Sequence, residues 1–253
     1  MRHYFTILSH EVRTLLYSSS TYIAAVLFLG VMGFVFAGIL ELYGKAPQET
    51  SPAVVFFQLF WFPVFFMVPL LTMKSFAEER RLGTLETLLT APVSTTEVVL
   101  GKFSAAYLFY ILLWGSTLGF HYLLKVYARD ARFLDPAPLI GGYLFIALSG
   151  LLFIALGILA SALTRNQAVA GILCFTCLLG LIGGFSYLGE LSALNAEGLQ
   201  PLKNAVESLR IPAHMEDFTH GVIDTRQVFF YFTGAILTLL LSILGVEAKI
   251  LNS

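Results

Sequence analysis

KSFAEERRLGTLETLLTAPVSTTEVVLGK, residues 74–102, is the longest polar-rich interruption in the first half of a very apolar chain. It opens with a charge cluster, Lys74, Glu78, Glu79, Arg80 and Arg81, followed by Gly83-Thr84. A leucine-faced run comes next (Leu82, Leu85, Leu88, Leu89) and stops at Ala91-Pro92. Ser94-Thr95-Thr96-Glu97 then has the spacing of a capping box. In that motif the serine hydroxyl accepts from a backbone N–H of the first turn and the glutamate reaches back to the serine N–H. A new helix is expected to start there, with Ser94 as its N-cap. The stretch reads as a folded connector between two membrane helices with a small amphipathic helix inside it. A floppy loop would need no leucine face, so the connector is a docking element.

Composition sets the class around it. Of 253 residues, 57% are hydrophobic and 12% charged, whereas soluble domains carry about 25% charged residues. Several apolar runs reach the roughly 20 residues that a helix needs to cross a bilayer. The chain is expected to be an all-α polytopic membrane protein. A net charge of −1 says nothing about nucleic acid or anionic substrates, and no nucleic-acid partner is expected. The first 17 residues lack the compact apolar core and small-residue cleavage site of a signal peptide, so no removal is expected. Cys174 and Cys177 have CxxC spacing but lie in the apolar run 171–182. Thiolate chemistry needs an electropositive or polar setting, so both are read as packing residues.

In chain order, residues 3–17 are too polar to span, yet Tyr4, Phe5, Leu8, Val12, Leu15 and Leu16 share one helical face. That pattern predicts an interfacial helix. Crossings are expected at 21–40, 54–73, 98–124, 139–163, 168–188 and 228–246. Pro63 and Pro69 should kink the second. Gly150, Gly157, Gly171, Gly180, Gly183 and Gly184 suggest that the fourth and fifth pack closely together. Residues 74–97 form the loop already described, and 189–227 form the longest connector. Within it, HMEDFTH carries His214 and His220, six apart and so on different helical faces; it reads as a solvated turn rather than a metal site. Six crossings put both ends on one side. Lys and Arg then number eight on that side and seven on the other, so the positive-inside rule barely decides.

The connector resembles the signature loop of ABC-2 type transporter permeases, and more closely those of the gliding-motility and nitrous-oxide-reductase-maturation kind. The matching positions are Glu78-Glu79, Gly83-Thr84, Glu86, Leu88-Leu89, Pro92 and Gly101-Lys102. The start, HEVRTLLYSSSTYI, resembles that family's elbow helix, although Ser20-Thr21 stands where the family usually has a proline. The resemblance implies one transmembrane domain over the whole chain: an elbow helix, six spans, a cytoplasmic coupling helix and a long extracytoplasmic connector. It implies docking of an ATP-binding subunit by Glu78, Glu79, Arg80, Arg81, Gly83, Thr84, Leu85, Glu86, Leu88, Leu89 and Pro92. It also implies an elbow built on Phe5, Leu8, Glu11, Val12, Arg13 and Leu15. Burying a leucine is worth ~1.5–3 kcal/mol and an exposed ion pair ~0–1 kcal/mol, so the leucines should carry affinity and the charges register.

Further expectations follow from the resemblance. Two ATP-binding subunits would pair with two permease copies or a paralogue, with ATP and Mg on the partner and no cofactor in this chain. The setting would be a bacterial-type inner membrane, with both termini cytoplasmic, surrounded by lipid and with room for an extracytoplasmic auxiliary protein. The chain has no G-x-x-x-x-G-K-[ST], so it is not expected to bind or hydrolyse ATP itself. His121 is the one ionisable side chain well inside an expected span, which speaks against a proton-coupled carrier. The leading reading is the permease of an exporter. The alternative is a mechanotransmission module that relays ATP-driven motion to an outside partner without moving cargo. An unrelated membrane scaffold or enzyme ranks last, for want of a catalytic constellation. Aromatics at Phe28, Phe34, Phe56, Phe57, Phe60, Phe65 and Phe175 are candidates to meet across a dimer axis.

Overall fold

The computed structural model describes residues 2–45, 50–84, 93–127, 136–190 and 200–250, and these are helical with short turns between. The helices are α1 (Arg2–Tyr17), α2 (Ser19–Lys45), α3 (Pro52–Gln58), α4 (Trp61–Thr72), α5 (Ala77–Leu82), α6 (Thr95–Ser116) and α7 (Leu118–Tyr127). They continue with α8 (Pro136–Leu163), α9 (Gln167–Leu179), α10 (Phe185–Glu190), α11 (Gln200–Glu207), α12 (Ile211–Thr219) and α13 (Thr225–Ile250). Among the described residues, five helical runs are long and apolar enough to cross a membrane, and six if a bent pair counts as one span.

The centre of the molecule is α8. A helix that is apolar on every side has to be surrounded by protein or lipid, and here protein takes most of it. α13 runs along it over the most extensive interface, and α4, α6, α9 and α12 complete the ring. Phe145 on α8 meets Phe60, Phe218 and Tyr231 edge-on. The glycines of this helix are seats for other helices. A methyl group at Gly150 would come within 2.3 Å of Tyr110 on α6, and one at Gly157 within 2.2 Å of Thr72 on α4. α8 and α9 do pack, but not through the glycines expected to join them: Gly180 and Gly184 face open space, and Gly171 has only Met73 at 3.7 Å.

The bent pair is α3 with the run Trp61–Leu82, at 49°. Pro63 explains where the bend falls. In a continuous helix its nitrogen would have to donate to the Leu59 carbonyl, and its ring would clash there. The chain breaks at Leu59–Phe60 instead, and the Phe62 N–H reaches the Leu59 carbonyl at 3.3 Å. Pro63 then sits in the first turn of α4, where a missing N–H is harmless. Pro69 stays inside α4. In the fifth expected span, α9 passes into a π-helical turn over Gly180–Gly184 before α10.

Two readings of the sequence change. HMEDFTH is no solvated turn: α12 buries His214, Met215 and Phe218 against α8 and α3. Phe28, Phe56, Phe57, Phe60 and Phe65 lie in the subunit's own core, so they do not reach a dimer axis, whereas Phe34 is 82% exposed.

Candidate functional site

The described part of the docking stretch begins at the end of α4. Met73 to Phe76 make a turn, and α5 carries Glu78 and Glu79 in its first turn and Arg80 and Arg81 in its last. That order complements the helix dipole at both ends. Gly83 stops the helix in the left-handed conformation, φ 71°, with its N–H turned back to the Arg80 carbonyl. A glycine takes that conformation without the Cβ penalty. The N-terminus of α5 is capped from another helix. Ser161 Oγ of α8 accepts from the N–H groups of Phe76 at 2.9 Å and Ala77 at 3.1 Å, and donates to the Met73 carbonyl at 3.2 Å.

The Ser94 capping box is present, with Glu97 N–H donating to Ser94 Oγ at 3.2 Å and Ser94 N–H donating to Glu97. One turn further on, Gly101 and Lys102 form the seat for α1. A methyl group at Gly101 would lie 2.7 Å from Ile7, so glycine is what lets α1 approach α6. Tyr4 donates its hydroxyl to Ser104 at 2.8 Å. Lys102 Nζ, with its side chain 2% exposed, donates to Glu11 of α1 and to Glu79 of α5, each at 2.6 Å. Residues 4, 7 and 11 share one face of α1, and all three contacts lie on it. An ammonium this buried needs compensating charge. Here it draws that charge from two elements, and so ties α1, α5 and α6 at one point.

The remaining expected site residues are placed as follows. Leu8, Val12 and Leu15 are half-buried, while Phe5 and Arg13 face outward. Glu78 meets Arg81 at 3.9 Å, a long and exposed pair that contributes little. Thr84 donates to the Glu79 carbonyl at 3.3 Å. The two terminal nitrogens of Arg80 are buried without a hydrogen-bond partner, in the field of the like charge of Arg165. Leu85, Glu86, Leu88, Leu89 and Pro92 lie outside the described residues. Two residues that sequence reading passed over are central here. Lys102 enters the sequence reading only as part of a motif, and Ser161 carries no local signal at all.

Away from this site, His214 is held neutral in one tautomer. A carbonyl can only accept, so Nε2–H donates to Ser208 at 3.0 Å, and Nδ1 accepts from the Tyr231 hydroxyl at 2.9 Å. Burial lowers its pKa below the ordinary histidine value. His121 packs against the rings of Phe56, Phe57 and Tyr143.

Residues 5–248, nearly the whole chain, match the family described as ABC-2 family transporter protein. The chain belongs to that family. No curated protein matches it. Membership makes it a membrane component of an ABC transporter, a permease subunit without catalytic chemistry of its own. ABC-2 permeases work with a separate ATP-binding subunit.

Proposed function

We propose that this ABC-2 permease is the transmembrane half of an ATP-driven exporter of the gliding-motility or nitrous-oxide-reductase-maturation kind. Residues 74–97 face the cytoplasm, with both termini, and dock the ATP-binding subunit. Two permease copies and two ATP-binding subunits form the working unit in a bacterial-type inner membrane. The observation that carries this reading is the Lys102 junction. A push on α5 is delivered to α1 and α6 through one buried ammonium, and to α8 through Ser161. Arg165, without a carboxylate partner among the described residues, suits an acidic patch on that subunit, while the buried end of Arg80 lies behind it.

The test is co-purification with the genetically neighbouring ATP-binding subunit, wild type against Leu85→Asp/Leu88→Asp. Loss of the subunit by a variant that stays folded supports docking through this loop. Equal retention moves the contact to the Arg165 turn or to α1. Absence of binding by the wild type removes the exporter reading.

A second reading has one observation behind it. α12, in the long connector, is packed on α8 and α3, so movement of α8 would be passed outward to that connector. Mechanotransmission to an extracytoplasmic partner uses that route and moves no cargo. Cargo flux in vesicles separates the two.

A further inference from the structure

Beside the Lys102 junction is a cavity of about 230 Å³ between α1, the start of α2, the end of α4 and α5. At ~30 Å³ per water it has room for roughly eight waters, which is the scale of a small headgroup. It lies where α4 ends and α6 begins, at the ends of two apolar helical runs.

Its walls differ chemically. On one side Lys74 Nζ reaches Ser18 Oγ at 3.4 Å, and Ser18 Oγ lies 2.8 Å from Ser20 Oγ. Lys74 makes no ion pair among the described residues, so an ammonium and two hydroxyls face the cavity together. On the other side is the Glu79 carboxylate. Its Oε1 is taken by Lys102; its Oε2 has no hydrogen-bond partner and is covered, so the carboxylate has to turn to meet a ligand in the cavity. Leu15 and Leu82 supply an apolar lip, with Leu71 buried beneath them.

The charges decide what fits. Glu11 and Glu79 against Lys102 leave one negative charge, which Lys74 balances, and Glu78 on the rim is balanced by Arg81. These carboxylates and cations sum to zero, with His10 also on the lining, and they divide the cavity into a cationic and an anionic wall. A ligand with net charge would leave one of those charges uncompensated where water is scarce. A ligand carrying both charges satisfies each wall. The anionic wall lacks a donor, so the cation must bear N–H groups; a quaternary ammonium cannot donate to Glu79.

We propose that this cavity is a binding site for a zwitterionic phosphoester with a primary ammonium, the headgroup of a phosphatidylethanolamine-type lipid. The phosphate is held by Lys74, Ser18 and Ser20, the ammonium by Glu79, and the acyl chains leave past Leu15 and Leu82. The site does not depend on the exporter reading.

The experiment is native mass spectrometry of the delipidated full chain, titrated with phosphatidylethanolamine, phosphatidylcholine and phosphatidylglycerol of equal acyl chains. Soluble glycerophosphoethanolamine serves as competitor. The expected result is a preference of at least about tenfold for phosphatidylethanolamine, the size of one charge-assisted hydrogen bond. That preference is lost in Lys74→Gln and kept in Lys74→Arg. Equal binding of the three lipids overturns the proposal, as does a preference unchanged by Lys74→Gln. Competition by the soluble headgroup at lipid-like concentrations overturns the lipid assignment in favour of a water-soluble phosphoester. Should Lys74→Gln fail to fold, the three-lipid comparison on the wild type decides alone.

Discussion

Lys102 is the residue on which the cytoplasmic end turns. Removing one partner of a buried pair leaves an uncompensated charge and costs about 3–5 kcal/mol. Lys102→Met strips the cation from both Glu11 and Glu79 and should destabilise the chain by about that much, read as a fall in thermal unfolding temperature in detergent. Glu11→Gln should cost less, because Glu79 still holds the ammonium. Ser161 acts at the same end. Ser161→Ala takes the acceptor from two N–H groups at once, an effect of ~1–2 kcal/mol for a lost cap. Faster amide exchange at Phe76 and Ala77, with little change at Gly83, is the expected signature.

At the scale of elements, α12 links the connector to the core through His214. Burial lowers its folded-state pKa below the unfolded value, so the unfolded chain binds the proton more tightly. The stability that the neutral ring contributes is therefore present above the unfolded value of about 6.5 and drains away as pH falls through the lowered folded value. Protonation would also turn Nδ1 from an acceptor of the Tyr231 hydroxyl into a donor. Melting temperature should fall in mildly acid buffer for the wild type, and His214→Gln should flatten that dependence. If the slope is unchanged in the variant, another group titrates. The start of α6 was legible, because the Ser94–Glu97 box is a local signal spanning one turn; α5 was not, since it covers the charged residues and ends at Gly83, whereas the helix expected on the leucine face falls mostly outside the described residues. α12 was misread: its polar letters suggested solvent, whereas the arrangement of α8 and α3 supplies a covering surface that no local pattern announces.

At the scale of the whole molecule, the bent pair sets the number of crossings. With α3 and Trp61–Leu82 counted as one bent span there are six, and both ends lie on one side. If that pair re-enters instead, five crossings put the ends on opposite faces. Single cysteines at His3 and Ser253, placed in a Cys177→Ser background, should react with an impermeant maleimide from the same side in oriented vesicles. A cysteine at Lys203 should react from the other. Labelling of His3 and Ser253 from opposite sides would rule out the six-span arrangement and the orientation proposed with it.

The sequence by itself determined the membrane class, the apolar runs, the resemblance of residues 74–102 to an ABC-2 loop, and the capping box that starts α6. These depend on transfer into lipid and on neighbours within about one helical turn, both written along the chain. The tertiary structure alone decided which helices those runs meet. Lys102 finds Glu11 across 91 residues and Ser161 caps Phe76 across 85, and Gly150 and Gly157 seat α6 and α4 rather than α9. The reason is that a helix apolar on every side, such as α8, has no periodicity to fix its rotation. Its partners are chosen by close packing and by the few buried polar atoms that have to be satisfied.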